Sequence, residues 1–397
     1  MKIAMMTNSY RPYTAGVPVS IERLSKGLQA NGHEVVVFAP SYEGQGTEAD
    51  VVRYRSLIKG IANGFSVPDM MDVRIEKAFR EGKYDVIHVH HPMLIGNTAL
   101  YLSRKYDVPL CFTYHTRYEQ YLHYMKASFL KQVIPSYVNY YTKRCDMVFV
   151  PTPSMKAYLE EIGSEANIAV LPTGIATEGF EADAMEAARL REELLGQKSY
   201  LFCTVARLAK EKNIEFLFRA LARRKRTRGA DFRLVLIGEG PYEQYLKEFA
   251  RQQNLEEEVL FIGKVANEEI KNYCKAADLF LFSSLSETQG IVLLEAMAAA
   301  LPVLALKASG VRDIVVNGRN GFMTNVSEIE YESRLQALLL QDRSYLEQGA
   351  IETARQYEVQ EIAKWAAVYY NIAIQSHRQL IRCGETGGKA AWKHFIF

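Results

Sequence analysis

Two carboxylates, Glu287 and Glu295, stand eight positions apart in the segment SETQGIVLLEAMAAALPVLAL (residues 286–306), with Gly290 between them. On a single helix they would lie about 12 Å apart along the axis, too far to serve one atom. A helix that starts near Gly290 instead leaves Glu287 in the preceding loop and puts Glu295 in the second turn. The N–H groups of Gln289, Gly290, Ile291 and Val292 then form an anion site with a carboxylate on each side, phosphates meeting the amides and vicinal sugar hydroxyls meeting the carboxylates. Taken alone, such a pair reads as one helix-capping and one solvent-exposed glutamate.

The pair does not stand alone. In VARLAKEKNIEFL (205–217), Arg207 and Lys212 fall between an apolar run and a helical pattern, where a strand-end crevice opens. Arginine as a planar fork and lysine as a point charge can neutralise a diphosphate without a metal. No D-x-D pair suited to a divalent ion occurs, so neither a metal nor a cofactor is expected. The turn Ile237-Gly238-Glu239-Gly240-Pro241 follows another apolar run on the same side, and LPTGI (171–175) adds a turn near a hinge. Near the N-terminus, the first apolar run leads through Asn8 to Val17 into a helix, with Gly16 at the turn. A glycine there lets backbone N–H groups approach a phosphate, or simply makes the turn. It is not a G-x-G-x-x-G dinucleotide fingerprint.

A further block, TYHTRYEQYLHYM (113–125), places His115 directly after an apolar run and repeats tyrosine at 118, 121 and 124. Tyr118, Tyr121 and Tyr124 make a helical stripe, with Lys126, Lys131, Lys143 and Arg144 further on. The stripe reads either as an aromatic core face or as an interfacial helix with rings at headgroup depth and cations toward anionic lipid. Among His88, His90 and His91 in HVHHP, a His pair at a strand end could ligate metal, but with no third ligand in view they read as packing or pocket lining. The run Arg223 to Arg228 reads as a solvated loop between a helix and a strand. The tail Lys389 to Phe397 mixes aromatics and cations and reads as a membrane anchor or as a disordered terminus.

Elements that could hold these residues are legible. Short apolar runs alternate with amphipathic segments, the signature of strand-helix units in parallel sheets. Strands are predicted at 2–7, 34–39, 85–89, 109–113 and 146–150, then at 200–205, 233–237, 259–261, 279–282 and 303–305. The segment 329–382 is predicted helical. The expected division is 1–190, an acceptor-binding domain; 191–355, a donor-binding domain; 356–382, a helix packing back on the first domain; and 383–397, a tail. Two doubly wound α/β domains, each with crevices at its strand ends, would face one another across a cleft.

Composition fits this frame. A chain of 397 residues, 48% hydrophobic and 24% charged, has the size of two domains and excludes wholesale disorder. Forty-eight Lys and Arg against 46 Asp and Glu, a formal charge of +2, exclude a surface devoted to nucleic acid. Five scattered cysteines without a C-x-x-C pair point to a reducing compartment, and no signal-peptide core or membrane-spanning stretch is seen.

The order and spacing of the Gly16 loop, Arg207 with Lys212, the IGEGP turn and the Glu287/Glu295 pair resemble the retaining family 4 glycosyltransferases of the GT-B fold, over nearly the whole chain. That resemblance implies Arg207 and Lys212 on the donor diphosphate, Glu295 on the ribose, Glu287 on the donor sugar and Gly16 leaving space beside both. The opening NSYRPYTAGVPVSIERL, HVHHP and the H-T-x-Y-E-x-Y block look like bacterial diacylglycerol glucosyltransferases. This implies a retaining transfer of glucose from UDP-glucose to diacylglycerol, with His115 beside the sugar and acceptor hydroxyl, and with His91, Tyr118 and Tyr121 toward the acceptor. It also implies a cytoplasmic protein, peripheral at an anionic inner membrane face. Other readings are a soluble or polyprenyl-linked acceptor, a sugar-nucleotide epimerase or phosphorylase of the same architecture, and a silent binding subunit.

Overall fold

In the computed structural model the short apolar runs become parallel strands and the amphipathic segments become the helices that cover them. The structure describes the chain except for residues 14, 43–45, 47, 62–64, 70–71, 118–132, 177–181 and 383–397. In chain order the first elements are β1 (Lys2–Met6), α1 (Gly16–Ala30), β2 (Glu34–Pro40), β3 (Val51–Tyr54), β4 (Ser56–Ile61), β5 (Phe65–Pro68), α2 (Val73–Gly82), β6 (Val86–Val89) and α3 (Ile95–Tyr106). There follow β7 (Leu110–Thr113), α4 (Val133–Thr142), β8 (Met147–Val150), α5 (Pro153–Glu161), β9 (Ile168–Val170) and α6 (Ala184–Leu195). The second series is β10 (Tyr200–Val205), α7 (Ile214–Arg228), β11 (Phe232–Ile237), α8 (Glu243–Gln252), β12 (Val259–Gly263), α9 (Ile270–Ala276), β13 (Leu279–Phe282) and α10 (Ile291–Ala298). The chain ends on β14 (Val303–Leu306), β15 (Gly321–Thr324), α11 (Glu328–Leu340), α12 (Ser344–Arg355) and α13 (Val359–Arg382).

Two compact units result, Met1–Gly174 with Val359–Phe397, and Ile175–Glu358. The first is built on a parallel sheet of order β3-β2-β1-β6-β7-β8-β9, with β4 and β5 paired antiparallel beside it. The second is built on a parallel sheet of order β12-β11-β10-β13-β14-β15. Strands β6, β7, β8, β13 and β14 are buried along their whole length, as uninterrupted apolar runs require when helices cover both faces.

In each sheet the strand order reverses at one place. On one side of the first sheet α1 packs with Ile3, Val35 and Phe149; on the other α3 packs with Ala4, Ile87 and Phe112. Helices α1 and α3 follow the neighbouring strands β1 and β6, so a crevice opens where their chains diverge. The second sheet repeats this at β10 and β13, whose helices α7 and α10 join the clusters on opposite faces.

The division of the chain differs from the expected 1–190 and 191–355. Helix α6 lies in the second unit because Leu190 and Leu194, one turn apart, bury themselves with Leu201, Cys203 and Val235. The chain therefore crosses at 174/175 and again at 358/359. Helix α13 lies against α1, burying Ile362, Ala363, Ala366, Tyr370 and Ala373 with Ile21, Leu24 and Leu28.

The basic run at 223–228 is also not a loop. It forms the C-terminal turns of α7, where cations meet the negative end of the helix dipole. Arg224 is 2% exposed and bonds Asp231 and Gln336, while Lys225 pairs with Glu258 and Arg228 with Glu332. These charges join α7 to its neighbours.

Candidate active site

The loops after β10 and β13 in the second unit carry most of the residues expected to hold a donor. After β10 the chain passes Ala206 and the exposed Arg207, makes a single helical turn at Lys210–Lys212, and reaches Asn213. Asn213 takes a left-handed conformation at φ 53° and starts α7, a geometry asparagine tolerates better than most residues. Its side-chain amide donates to the Ser283 carbonyl at 3.2 Å, and the Ser283 hydroxyl donates to the Lys212 carbonyl at 3.1 Å. The two crevice loops are thereby tied together.

Across that tie the Lys212 ammonium meets Glu287 Oε1 at 2.7 Å, both side chains being mostly buried. Burial alone would raise the Glu287 carboxyl. The charge and hydrogen bond of Lys212, with a hydrogen bond from Ser284, outweigh it and hold the group below its ordinary 4.5. Glu287 is therefore an acceptor at neutral pH, as hydrogen bonds from sugar hydroxyls require.

Three positions on, Gly290 at φ 79° is the N-cap of α10, and no side chain caps this helix. Ile291 and Val292 open the helix and Glu295 is half-buried in its second turn. Gln289 is 2% exposed, so its side chain belongs to the interior. The expected separation of the two glutamates, one in the loop and one in the helix, is what the structure has.

Gly238 serves the site from behind. Its φ is 129°, and a Cβ there would stand 2.0 Å from the Ala206 carbonyl oxygen. The loop bearing Arg207 rests on this turn through bonds from Leu208 N–H to Glu239 O and from Tyr242 N–H to Leu208 O. Gly310 does the same for Glu287: at φ 77° its Cβ would be 2.6 Å from the Glu287 carbonyl oxygen. Sequence reasoning missed Gly310, and the only local signal is a glycine in a loop after the strand next to β13. It also missed Asn213, whose signal is an asparagine just ahead of a helix.

In the first unit the crevice at β1 and β6 gathers a different set. Gly16 is the first residue of α1, and a Cβ on it would meet nothing within 4 Å. His91, after β6, receives the Asn8 N–H at Nδ1 (3.2 Å) and contacts the Thr7 hydroxyl, so it joins the loop after β1. Asn8 completes the join with bonds to the Met93 carbonyl and the Ile95 N–H. His115, two residues beyond β7, lies 2.9 Å from His90 through Nε2 and Nδ1. Burial pushes His88 down to about 3 and His91 to about 4. Burial, then the neighbouring imidazoles, take His90 and His115 well below 6.5. All four are neutral at physiological pH and act by hydrogen bonding. Tyr118, Tyr121, Tyr124, Lys126 and Lys131 lie outside the described residues, as does the tail 389–397.

Residues 14–178 match the model for glycosyltransferase family 4, and residues 185–357 match that for glycosyl transferases group 1. The alpha-monoglucosyldiacylglycerol synthase of Acholeplasma laidlawii is 29% identical over 83% of this chain and 86% of its own length. Its counterpart from Streptococcus pneumoniae is 31% identical over 77% of this chain and 71% of its own. Among solved structures, sucrose-phosphate synthase from Thermosynechococcus elongatus aligns over 96% of this chain and 99% of its own with TM-score 0.77 and 20% identity. Anabaena HepE, solved in complex with UDP, aligns over 94% of this chain and all of its own with TM-score 0.75 and 19% identity. The α/β architecture of both units and these likenesses, which run through both, make the chain a member of the family 4 glycosyltransferases of GT-B fold and a hexosyltransferase.

Proposed function

We propose that the protein transfers glucose from UDP-glucose to the free hydroxyl of diacylglycerol, with retention at the anomeric carbon. The observation that carries this reading is the Lys212–Glu287 pair beside the uncapped N-terminus of α10, on a crevice that also bears Arg207. One end of that arrangement suits a diphosphate and the other a sugar ring. The acceptor is inferred from the likeness to the two alpha-monoglucosyldiacylglycerol synthases, and the donor is supported by that likeness and by HepE having been solved with UDP-glucose.

In this reading the bond from the anomeric carbon to the β-phosphate oxygen breaks as the acceptor oxygen bonds to that carbon on the same face. UDP leaves and its phosphate takes the acceptor proton. Arg207, Lys212 and the α10 N–H groups stabilise the charge that grows on the leaving diphosphate, which is where preorganised donors have their largest effect. Glu287 orients the sugar, Glu295 the ribose, Gln289 to Val292 lie along the phosphates, Gly238 supports the Arg207 loop, and Gly16 leaves room. His115, neutral, is assigned to the reacting end, and His91, Tyr118 and Tyr121 are assigned to binding the acceptor. The chemistry uses no metal and no cofactor beyond the nucleotide sugar.

Access to diacylglycerol places the enzyme on an anionic membrane surface, at the cytoplasmic face. Among the described residues no helix is long and apolar enough to cross a membrane. Exposed Lys143 and the half-buried Arg144, whose guanidinium lies 3.5 Å from the Tyr140 ring centroid, follow α4 and suit such a surface. The test is incubation with a panel of nucleotide sugars and lipid or soluble acceptors, with mass analysis of the product and its anomeric proton coupling. A β-linked product, or turnover indifferent to lipid, rejects the reading.

A further inference from the structure

The face of the first sheet that packs against α13 carries a chain of imidazoles, of which the catalytic reading uses His115 but neither His88 nor His90. His88 and His90 alternate along and just beyond β6, and Thr113 and His115 do so on the neighbouring β7 and its exit. His88 is anchored at both ring nitrogens, Nδ1 to the Tyr370 hydroxyl at 2.7 Å and Nε2 to the Thr113 hydroxyl at 2.6 Å. It therefore has no nitrogen left to share with His90 and presents its face instead, with ring centroids 4.2 Å apart. His90 in turn meets His115 edge to edge and nearly in one plane, with ring centroids 5.2 Å and ring planes 23° apart. The middle ring is held between an anchored imidazole and the one assigned to the reacting end.

His90 is 1% exposed. Its Nδ1 lies 2.9 Å from His115 Nε2, and its Nε2 is buried without a hydrogen-bond partner among the described residues. A small cavity with room for about one water borders His90 and His115, and Ser20 and Thr173 contribute hydroxyls to its wall. A contact between two neutral imidazoles is a hydrogen bond only when one nitrogen carries the proton and the other does not. The two tautomers are then complementary: whichever nitrogen of His90 is protonated decides which nitrogen of His115 is.

We propose that His90 is a positioning residue, which fixes the tautomer and ring plane of His115. His90 is buried one residue beyond β6, and the half-buried His115 stands two residues beyond the neighbouring β7, so the paired strands set the spacing of the two rings, which is what a preorganised group needs from its support. Neutrality of both rings, imposed by burial, keeps the contact an N–H to N bond instead of a repulsive pair of cations. The inference rests on His115 acting at the reacting end in the function proposed above.

The test compares His90→Leu, which fills the space without a ring nitrogen, with His90→Asn, which keeps an amide within reach of His115. In the full chain, with UDP-glucose and diacylglycerol in mixed micelles, His90→Leu is expected to lower kcat roughly 10- to 100-fold with the KM for UDP-glucose little changed. His90→Asn is expected to restore most of kcat. Ring-nitrogen chemical shifts of His115 are expected to show a single tautomer in the wild type and in His90→Asn and a mixture in His90→Leu. Those shifts can be read even if UDP-glucose and diacylglycerol are not the substrates, so the two readings fail separately. Wild-type kcat in His90→Leu, or an unchanged single tautomer in it, overturns the proposal. If His90→Leu does not fold, exchanging tautomers of His115 in the wild type overturn it equally.

Discussion

Lys212 and Glu287 compensate one another, and each is what it is because the other is there. Replacing Lys212 by Met removes the charge that holds the Glu287 carboxyl below 4.5 and leaves burial to push it up. The expected outcome is a loss of about 10²- to 10³-fold in kcat/KM, with the acid limb of the pH profile moved to higher pH. A rate profile whose acid limb stays in place would show that Glu287 does not act as an ionised acceptor. The same shift has a sign for stability. A carboxyl lowered on folding contributes stability present above 4.5 and lost as pH falls through its lower folded value. In Lys212→Met that acid-side loss should vanish from a series of thermal melts. The residues of this pair were legible in the sequence because their types are unusual just after apolar runs. Their partnership was not, since 75 positions separate them and only the adjacency of β10 and β13 brings them together. The link between His90 and His115 escaped for the same reason.

At the scale of elements, glycines in the site divide into those the protein needs and one it does not. Gly310 meets the Glu287 carbonyl at a distance no Cβ tolerates, in a left-handed conformation. Gly310→Ala is expected to destabilise the second unit by about 1–3 kcal/mol and to raise the KM for the donor, because the Glu287 loop must move. Gly16 has open space where its Cβ would be and opens a helix, in which alanine is favoured over glycine by about 1 kcal/mol at most. Gly16→Ala should therefore leave the melting temperature unchanged or slightly higher while activity falls. A loss of stability equal to the loss of activity would assign Gly16 to the turn and not to substrate space. Most elements follow from apolar runs and helical spacing. The strands β3, β9 and β15, at sheet edges, and the separate pair β4 and β5 do not, because edge and hairpin segments need no long uninterrupted apolar run to be paired. The position of α6 was also hidden, since its periodicity shows that Leu190 and Leu194 share a face but not which sheet receives it.

On the scale of the whole molecule, the chain leaves the first unit at Gly174 and returns at Val359, so its last helix completes a core begun more than three hundred residues earlier. Amphipathic spacing announced a helix there; what holds it is a polar latch as well as packing. His377 Nδ1 lies 2.8 Å from Asp146 Oδ1, at the start of β8, and its Nε2 faces Asp107 at 3.6 Å. Asp146 also accepts the Leu110 N–H, so the latch grips β7 and β8 together. The hydrogen bond to Asp146 raises His377 above 6.5, against the opposing effect of burial and with help from the charges of both aspartates. A histidine raised on folding contributes stability that is complete below 6.5 and is lost as pH climbs through its folded value. His377→Asn should thus lower the stability of the first unit by about 1–2 kcal/mol near pH 6. The difference from wild type should shrink steadily as the buffer is made alkaline. Hydrogen exchange of the α13 backbone amides at increasing denaturant, which reads the opening of this helix, would report this unit. A deficit that is constant across the pH range would mean that His377 contributes only its packing, and that the helix returns to the first unit on apolar contacts alone.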